Sequence, residues 1–467
     1  METLANLFPE CVVNDVDENG NQTRRIEPDL LVCAIQRLQG ARIGEERYAF
    51  TWQGKKEAAF ASTSATGKGL VPCKEESVFW DKTKNLYIEG DNLDALKLLR
   101  TDWKGRIKVV YIDPPYNSGN DFVYHDDFRI RNNDRRSSVQ SEQDRLHSAW
   151  CSMFYARALV ARELISDDGI MLVSIDDREL SNALKILDEI FGESSRLATL
   201  VWKTKNAAIG MPPASMCVRN HEYVLAYGKG PSSRFKGERR SAADGFANPD
   251  GDPRGPWKRQ YLQRFGQGFP VRTIVDPATG IAYTFETPYT ETKMVKLVQE
   301  GRIIFPTEPN KYPLRKEFFA EYANKNKPIL TFLGYYSTKV GSEELKKLFG
   351  GVKVFDYPKP LALMIDLLRQ TLGKSGVVLD FFSGSGTTGN AVMALNAADG
   401  GSRRFICVQS AEKCAPNSVA SKAGFATVSD VGKERLRLAG MKIMKEKTDA
   451  RKFPDVGFRV YKIADAI

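Results

Sequence analysis

The sequence predicts an α/β fold, a doubly wound and mostly parallel sheet whose chain is interrupted by a long insertion. Apolar runs of strand length alternate with helix-like segments up to about residue 204 and again after 351, and such alternation is typical of a parallel sheet. Two of the predicted strands run into distinctive motifs, Asp113-Pro-Pro-Tyr116 and the glycine-rich segment 383–389. Ligands of such sheets bind outside the carboxyl ends of neighbouring strands, so the two motifs are expected to meet there.

Four segments are predicted along the chain: a partly polar lead-in over 1–80, a first catalytic part over 81–204, an insertion over 205–350 and a second catalytic part over 351–467. The first catalytic part alternates helices with apolar strands, as a parallel sheet requires. Its predicted elements are a helix over 93–100, a strand over 107–112, a long amphipathic helix over 143–166 and a strand over 169–176.

The insertion is rich in turns, prolines and aromatic residues, and a long irregular insertion in a regular α/β domain commonly carries recognition. Between 201 and 275 there are thirteen Lys and Arg against five Asp and Glu, and between 430 and 462 there are ten against five. Such charge runs are most often solvated faces. In the span 201–275, however, aromatic residues are interleaved with the basic ones, which also suits phosphates and bases, so nucleic acid is the expected partner.

Bulk composition indicates a globular protein with a large core, since the 467 residues are 42% hydrophobic and 27% charged. No apolar run approaches the length of a membrane span, and the amino terminus lacks the features of a signal peptide, which predicts a cytoplasmic protein without membrane association. Seven cysteines are scattered without a Cys-x-x-Cys pair, and there are only three histidines. Reduced thiols and no metal site are therefore expected.

Asp113, Pro114, Pro115 and Tyr116 form the candidate catalytic motif. An exocyclic amine of a base is a poor nucleophile because its lone pair is delocalised into the ring, so a catalyst must hold it in a geometry that frees it. Asp113 can accept one N–H and the Pro114 carbonyl the other, with the prolines fixing φ at about −65°. Tyr116 offers a face on which a flipped-out base can stack. The alternative interpretation is a strand followed by a proline turn.

A second motif begins with an apolar strand predicted to end at Phe382, followed by a glycine turn and a helix-forming run over 390–396. Its glycines, Gly384, Gly386 and Gly389, match the spacing of a dinucleotide fingerprint, so a nicotinamide or flavin enzyme is an alternative.

Two features favour a sulfonium cofactor over a dinucleotide. The loop comes late in the chain, and the next predicted strand, 403–409, ends in Gln409 rather than in the acidic residue that holds a ribose. Asp380 and Phe382 also flank the turn in the form Asp-x-Phe-x-Gly-x-Gly. Asp380 can attract the amino end of a methionine portion, while the glycines allow close approach of the backbone.

The order of these motifs, with Asp-Pro-Pro-Tyr first, resembles the circularly permuted amino-methyltransferases of DNA known as the β group. The finer pattern resembles the modification (methyltransferase) subunits of type III restriction-modification systems, over nearly the whole chain from about residue 50. The segments that carry this resemblance are 52–58, 85–99, 111–119, 168–177, 220–227, 355–361, 377–389 and 457–462.

This resemblance implies a Rossmann-like fold that uses S-adenosylmethionine to methylate N6 of adenine at specific sites in double-stranded DNA. It assigns the insertion as the target-recognition region. Methylation of N4 of cytosine is the nearest alternative, but relatives with that activity more often carry serine at the position of Asp113. A second alternative is a DNA-recognition subunit that keeps the fold without turnover.

Carried over residue by residue, the resemblance implies that Asp113, Pro114 and Tyr116 bind the target base. It also implies a cofactor pocket with Asp91 near the adenine and a helix that begins at the 358–360 segment over the methionine end. Asp91 could instead only cap a helix, and 358–360 could be only a helix start. The ribose ligand stays open between Gln409 and Glu412. The implied cofactor residues are Asp380, Phe382, Gly384, Gly386, Asp91, Lys359 and Pro360.

Partners follow from the same resemblance. The sequence has no Walker A motif, so DNA cleavage is expected to need a separate restriction (helicase-nuclease) subunit. A homodimer is also compatible with the family, and a chain that stops soon after 457–462 is expected to be a shortened or truncated member. A cluster of arginines, which either closes on phosphates or forms a disordered polar loop, consists of Arg129, Arg131, Arg135 and Arg136.

Overall fold

The structure is a computed structural model, and it describes residues 7–16, 22–27, 30–31, 34, 49–117, 142–206, 215–241, 244–308, 310–322, 324–446 and 454–465. Two compact units are present, Met1–Trp52 and Gln53–Ile467. The first contains the antiparallel strands β1 (Val12–Val16) and β2 (Gln22–Ile26). The first unit also contains a short 3-10 helix (Pro9–Cys11), and the strands and α-helices named below belong to the second unit.

The described strands of the second unit are β3 (Lys68–Val78), β4 (Leu86–Glu89), β5 (Ile107–Ile112), β6 (Ile165–Ile175), β7 (Arg196–Lys203), β8 (His221–Gly228), β9 (Glu238–Arg239), β10 (Trp257–Tyr261), β11 (Val271–Val275), β12 (Ala282–Glu286), β13 (Ile303–Ile304), β14 (Leu314–Phe318), β15 (Asn326–Lys327), β16 (Phe332–Tyr335), β17 (Ser375–Asp380), β18 (Ser402–Gln409) and β19 (Phe458–Asp465).

Its described α-helices are α1 (Lys55–Thr63), α2 (Asn92–Trp103), α3 (Glu142–Leu164), α4 (Leu180–Phe191), α5 (Glu291–Gln299), α6 (Thr338–Leu348), α7 (Leu361–Thr371), α8 (Thr387–Asp399), α9 (Val419–Lys422) and α10 (Val428–Glu446). None of the described helices is both long enough and apolar enough to cross a membrane. The cysteines in the described part of the chain form no disulfide with one another.

One ten-stranded sheet has the order β16-β7-β8-β6-β5-β17-β18-β4-β19-β3. From β6 to β19 all neighbours are parallel, whereas β8 and β3 run antiparallel to theirs. The strand after β5 in the chain lies on one side of it, and β17 with β18 lies on the other. This reversal creates a crevice at the carboxyl ends of β5 and β17. The predicted doubly wound, mostly parallel fold is confirmed.

Strand β5 covers the predicted residues 107–112, because its apolar run is buried from both faces of the sheet. Val109 and Val110 pair with Val378 and Leu379 of β17, and all four residues are fully buried. Strand β17, however, stops at Asp380 and not at the predicted Phe382. The Phe382 N–H bonds back to the Asp380 carboxylate at 3.1 Å, so the chain has already entered the turn.

The span 205–350 is not wholly separate from the sheet, because β8 and β16 are two of its ten strands. Likewise, β3 lies within the predicted lead-in but pairs with β19. These strands are short or lie beside polar turns, so their apolar pattern does not stand out. Between β8 and β16 the chain builds small sheets around its own apolar cluster, whose buried members are Leu262, Ile274, Phe285, Met294 and Leu297.

Candidate active site

Asp113 directly follows β5, and its two carboxylate oxygens have different surroundings. Oδ2 lies 2.8 Å from the ammonium nitrogen of Lys359. Oδ1 is buried and has no hydrogen-bond partner among the described residues. A buried acceptor without a donor is costly. Oδ1 is therefore a position in this site where a ligand N–H would be favoured.

Lys359 is the centre of a network that also contains Tyr116 and Glu222. Its ammonium donates to the Tyr116 hydroxyl at 2.7 Å and lies 3.4 Å from Glu222 Oε2. The same ammonium is 4.9 Å from the centroid of the Tyr116 ring. The Tyr116 hydroxyl donates to Glu222 Oε2 at 3.2 Å. One lysine thus contacts the acid and the aromatic residue of the catalytic motif.

The charge states of this network are set by burial and by its carboxylates. Burial would lower the pKa of Lys359, but Asp113 and Glu222 outweigh that effect and raise the pKa above its ordinary value. Burial, followed by the same two carboxylates, raises the pKa of Tyr116 well above its ordinary value. Lys359 is therefore charged and Tyr116 neutral at neutral pH.

Lys359 was predicted from the family resemblance to bind cofactor, and the structure places it against Asp113. Pro360 occupies the N-cap position of α7, where its carbonyl accepts from the Met364 N–H at 3.3 Å. The helix-start interpretation of this segment therefore describes Pro360. No feature of the sequence indicated that Lys359 would pair with Asp113.

Part-buried hydrogen bonds hold the rest of the candidate catalytic motif. The Pro115 carbonyl accepts from the Trp150 indole at 2.6 Å. Asn117, in the left-handed region at φ 57°, donates to Glu179 Oε1 at 2.6 Å. Glu179 is fully buried and also accepts from Asn182 at 2.7 Å. These contacts fix the turn that carries Pro114. The arginine cluster predicted to follow the motif lies outside the described residues.

Asp380 ends β17, the strand next to β5, and its carboxylate faces the glycine loop. It accepts from the Phe382 N–H and from the Thr388 hydroxyl. Burial is the main cause that raises the pKa of Asp380 to about 7. Gly384 and Gly386 have φ values of 50° and 78°, in the left-handed region that favours glycine.

The glycine loop approaches helix α10 closely at Gly386. A Cβ on Gly386 would lie 3.1 Å from the Gly432 carbonyl oxygen on α10. Beneath the loop, the fully buried Arg435 donates to the hydroxyls of Ser385 at 2.9 Å and Thr387 at 2.6 Å. Burial lowers the pKa of this guanidinium to about 10. Arg435 was missed in the sequence, because a basic residue on a predicted helix carries no sign of burial.

Asp91 and Asn92 lie at the start of helix α2 and make hydrogen bonds there. Asp91 caps the helix, with Oδ1 accepting from the N–H groups of Leu93 at 2.8 Å and Asp94 at 3.0 Å. Asp91 therefore caps the helix, as one of its two interpretations predicted, and its contact with a cofactor stays a prediction. Asn92 donates to the Phe381 carbonyl at 2.8 Å.

Gln409, at the end of β18, accepts from the Gly384 N–H at 2.8 Å. It therefore supports the loop directly, and the choice between Gln409 and Glu412 as the ribose ligand stays a prediction.

Three carboxylates, those of Glu76, Glu89 and Asp430, also come within reach of one another. The Lys433 ammonium already lies among them, 2.8 Å from Glu89 and 3.1 Å from Asp430. A lysine at the centre of such a cluster supplies the compensating charge that a metal would otherwise bring.

Comparison with known proteins places these features in context. Residues 107–419 match the N6_N4_Mtase family, described as DNA methylase. The StyLTI Mod subunit of a type III restriction-modification enzyme from Salmonella typhimurium is 33% identical over 88% of this chain and 64% of its own length. The EcoP15I Mod subunit from Escherichia coli is 29% identical over 98% of this chain and 76% of its own length. The type II methyltransferase M.KpnI from Klebsiella pneumoniae is 29% identical over 76% of this chain and 88% of its own length.

Proposed function

The chain belongs to the N6_N4_Mtase family of DNA methylases, and on this basis we propose that it methylates N6 of an adenine flipped out of double-stranded DNA. It would act at specific sites as the modification component of a restriction-modification system. The observation that carries the proposal is the buried, unpaired Oδ1 of Asp113, at the tip of the strand beside the glycine loop. An amine donor is what this oxygen lacks.

S-Adenosylmethionine is the methyl donor that suits the neighbouring strand tip. Asp380 offers a buried carboxylate to a cationic group, and Gly384 and Gly386 let the backbone approach a ligand closely. Phe382, 6% exposed, would add apolar contact. When bound, the cofactor would supply an electrophilic methyl group on a sulfonium centre.

The chain's own residues would orient the base. Asp113 Oδ1 would accept one N–H of the amine, and the Pro114 carbonyl would accept the other. Lys359 keeps Oδ2 occupied, which fixes the carboxylate orientation. Tyr116 stays neutral and its ring is held by its hydroxyl, so it can stack against the base. Asp113 Oδ1 is also placed to accept the proton that the amine loses.

The test is transfer of labelled methyl groups from S-adenosylmethionine to unmethylated bacterial DNA, followed by mass spectrometry of the nucleosides. N6-methyladenine is expected. Asp113→Asn should lower kcat at least about 100-fold, because it removes the anionic acceptor. Its affinity for S-adenosylmethionine, measured by calorimetric titration, should change by less than about threefold.

Asp168→Asn is the matched control, since Asp168 lies near the opposite end of the adjacent strand β6 and pairs with Lys108. It should transfer methyl groups at the wild-type rate. Full activity in Asp113→Asn would contradict the assigned role of Asp113.

N4 methylation of cytosine is the second candidate, because the matched family is named for both amines. The same nucleoside analysis separates them, and N4-methylcytosine without N6-methyladenine would rule out the adenine assignment. The relatives named as Mod subunits also support a separate restriction subunit as a partner. We propose that the module between β8 and β16 reads the target sequence.

A further inference from the structure

Glu222 lies at the catalytic edge because strand β8 runs opposite to its neighbour β6. Its start is therefore level with the carboxyl end of β6, where Tyr223 pairs with Ile175. From there Glu222 Oε2 reaches the Tyr116 hydroxyl at 3.2 Å and the Lys359 ammonium at 3.4 Å. The side chain of Glu222 is 20% exposed, so its charge is largely removed from water.

The ammonium of Lys359 has three N–H donors and no acceptor. Its three neighbouring acceptors are Asp113 Oδ2 at 2.8 Å, the Tyr116 hydroxyl at 2.7 Å and Glu222 Oε2 at 3.4 Å. With these partners each donor has its own acceptor. None is left for Asp113 Oδ1, which has no partner among the described residues.

Loss of the Glu222 carboxylate would release one of these donors. Lys359 already contacts Oδ2 of the Asp113 carboxylate, so the unpaired Oδ1 of the same group is an available acceptor for the released donor. A charged donor shared by both oxygens of a carboxylate is a favourable arrangement. Lys359 would then compete with an incoming amine. The total charge of Lys359, Asp113 and Glu222 would also rise from −1 to 0 when the Glu222 carboxylate is lost. A less negative site makes Asp113 a weaker acceptor.

We propose that Glu222 is a positioning residue that draws Lys359 away from Asp113 Oδ1 and so keeps this oxygen available to the amino group of the target base. This inference rests on the proposed methyltransferase function. It assigns Glu222 a role through Lys359, with no contact to the base itself.

The test measures kcat, the KM for DNA and the dissociation constant of S-adenosylmethionine for Glu222→Ala and Glu222→Gln. Glu222→Ala should lower kcat at least about tenfold, and Glu222→Gln, which keeps a weaker acceptor, should lower it by less. The KM for DNA and the cofactor affinity should stay within about twofold, because neither depends on the amine position. A purely structural role would instead lower the melting temperature and cofactor affinity together.

Asp188→Ala is the matched control. Asp188 accepts from the Tyr227 hydroxyl at 2.6 Å, as Glu222 accepts from the Tyr116 hydroxyl. Tyr227 lies near the end of β8, away from Glu222 at its start. Its kcat should match that of the wild type. If the melting temperature of Glu222→Ala is well below that of the wild type, the kcat of the isosteric Glu222→Gln is used as the test instead.

A double-mutant cycle identifies the route of the effect. In a Lys359→Met background there is no ammonium to redirect, so Glu222→Ala should change the residual kcat by less than about twofold. A further loss of about tenfold in that background would overturn the inference, as would wild-type kcat in Glu222→Ala. The proposed function fails separately, if the wild-type protein transfers no methyl group to DNA.

Discussion

At the scale of single residues, Asp380 gives the sharpest expectation about pH. Its pKa is about 7 in the folded protein, because it is buried, against an ordinary value of 3.8. Between these values the folded protein holds a proton that the unfolded chain has lost. The contribution of Asp380 to stability is therefore fully present below about pH 4 and is lost as pH rises through about 7.

Asp380→Asn removes this dependence while keeping an acceptor for the Phe382 N–H. As pH rises from about 5 to about 8, the free energy of unfolding of the variant should increase relative to that of the wild type by about 3 kcal/mol. Urea unfolding at both pH values measures the change. The variant should also bind S-adenosylmethionine more weakly above pH 7, because the anion is gone.

Asp168→Asn should behave in the opposite sense. A hydrogen bond from Lys108 is the main cause that lowers the pKa of Asp168, so its charge stabilises the fold above the ordinary pKa. This variant should lose a little stability at neutral pH. A pH profile of Asp380→Asn parallel to that of the wild type would show that Asp380 does not titrate in this range.

Asp113 and Asp380 could be located from the sequence because each ends an apolar run beside residues with distinctive backbone demands. Glu222 could not. It is one acid at the start of a short strand, and its importance depends on which strand lies beside it and in which direction. The site of Lys359 was equally hidden, since a lysine between two prolines predicts a helix start but not the acid that it will meet.

At the scale of elements, the glycines at the two ends of helix α8 show that a left-handed backbone and a close contact destabilise the fold separately when a side chain is added. Gly386 and Gly400 both have positive φ, at 78° and 67°. A Cβ on Gly400 would meet nothing within 4 Å, whereas on Gly386 it would be 3.1 Å from the Gly432 carbonyl oxygen. Gly400→Ala should therefore cost only about 1 kcal/mol, the penalty for the backbone alone.

Gly386→Ala should cost at least about 1 kcal/mol more, since α10 and the loop must move apart. Urea unfolding compares the two variants, and calorimetry should show weaker cofactor binding only for Gly386→Ala. Equal stability of the two would mean that the close approach of the loop to α10 contributes nothing.

The central elements were predictable where one physical signal dominated. Strand β5 is buried on both faces, so its limits appear as a continuous apolar run. Helix α2 extends past the predicted 93–100 to Asn92–Trp103, because its last turn is polar and shows no periodicity. Strands β8 and β16 were assigned to the insertion, since the long-range pairing that joins them to the sheet leaves little trace in the local sequence.

At the scale of the whole molecule, the formal net charge of +10 predicts salt-dependent binding to DNA. Affinity for a duplex that carries the target should fall about 1,000-fold between about 50 and about 200 mM salt, while cofactor affinity should hardly change. Fluorescence anisotropy measures the slope. A flat salt response would contradict an electrostatic interface with phosphates.

The proposed target-recognition module can be tested in the same assay. Arg259 is an exposed cation on β10, and Arg259→Ala should reduce the salt slope by about 1 if it contacts a phosphate. Lys442, exposed on α10 outside the module, is the matched control. An unchanged slope for Arg259→Ala, or an equal loss for Lys442→Ala, would place the interface elsewhere.

The adjacency of β5 and β17 also bears on protein synthesis. The two strands bond side by side through Val109 and Val378, yet more than half of the chain separates them, so a ribosome releases β5 long before its partner. Until then one edge of β5 has no neighbour, and Asp113 at its end has no glycine loop beside it. Under the proposed function, a growing polypeptide would therefore gain the capacity to transfer methyl groups only after β17 and the glycine loop have left the ribosome.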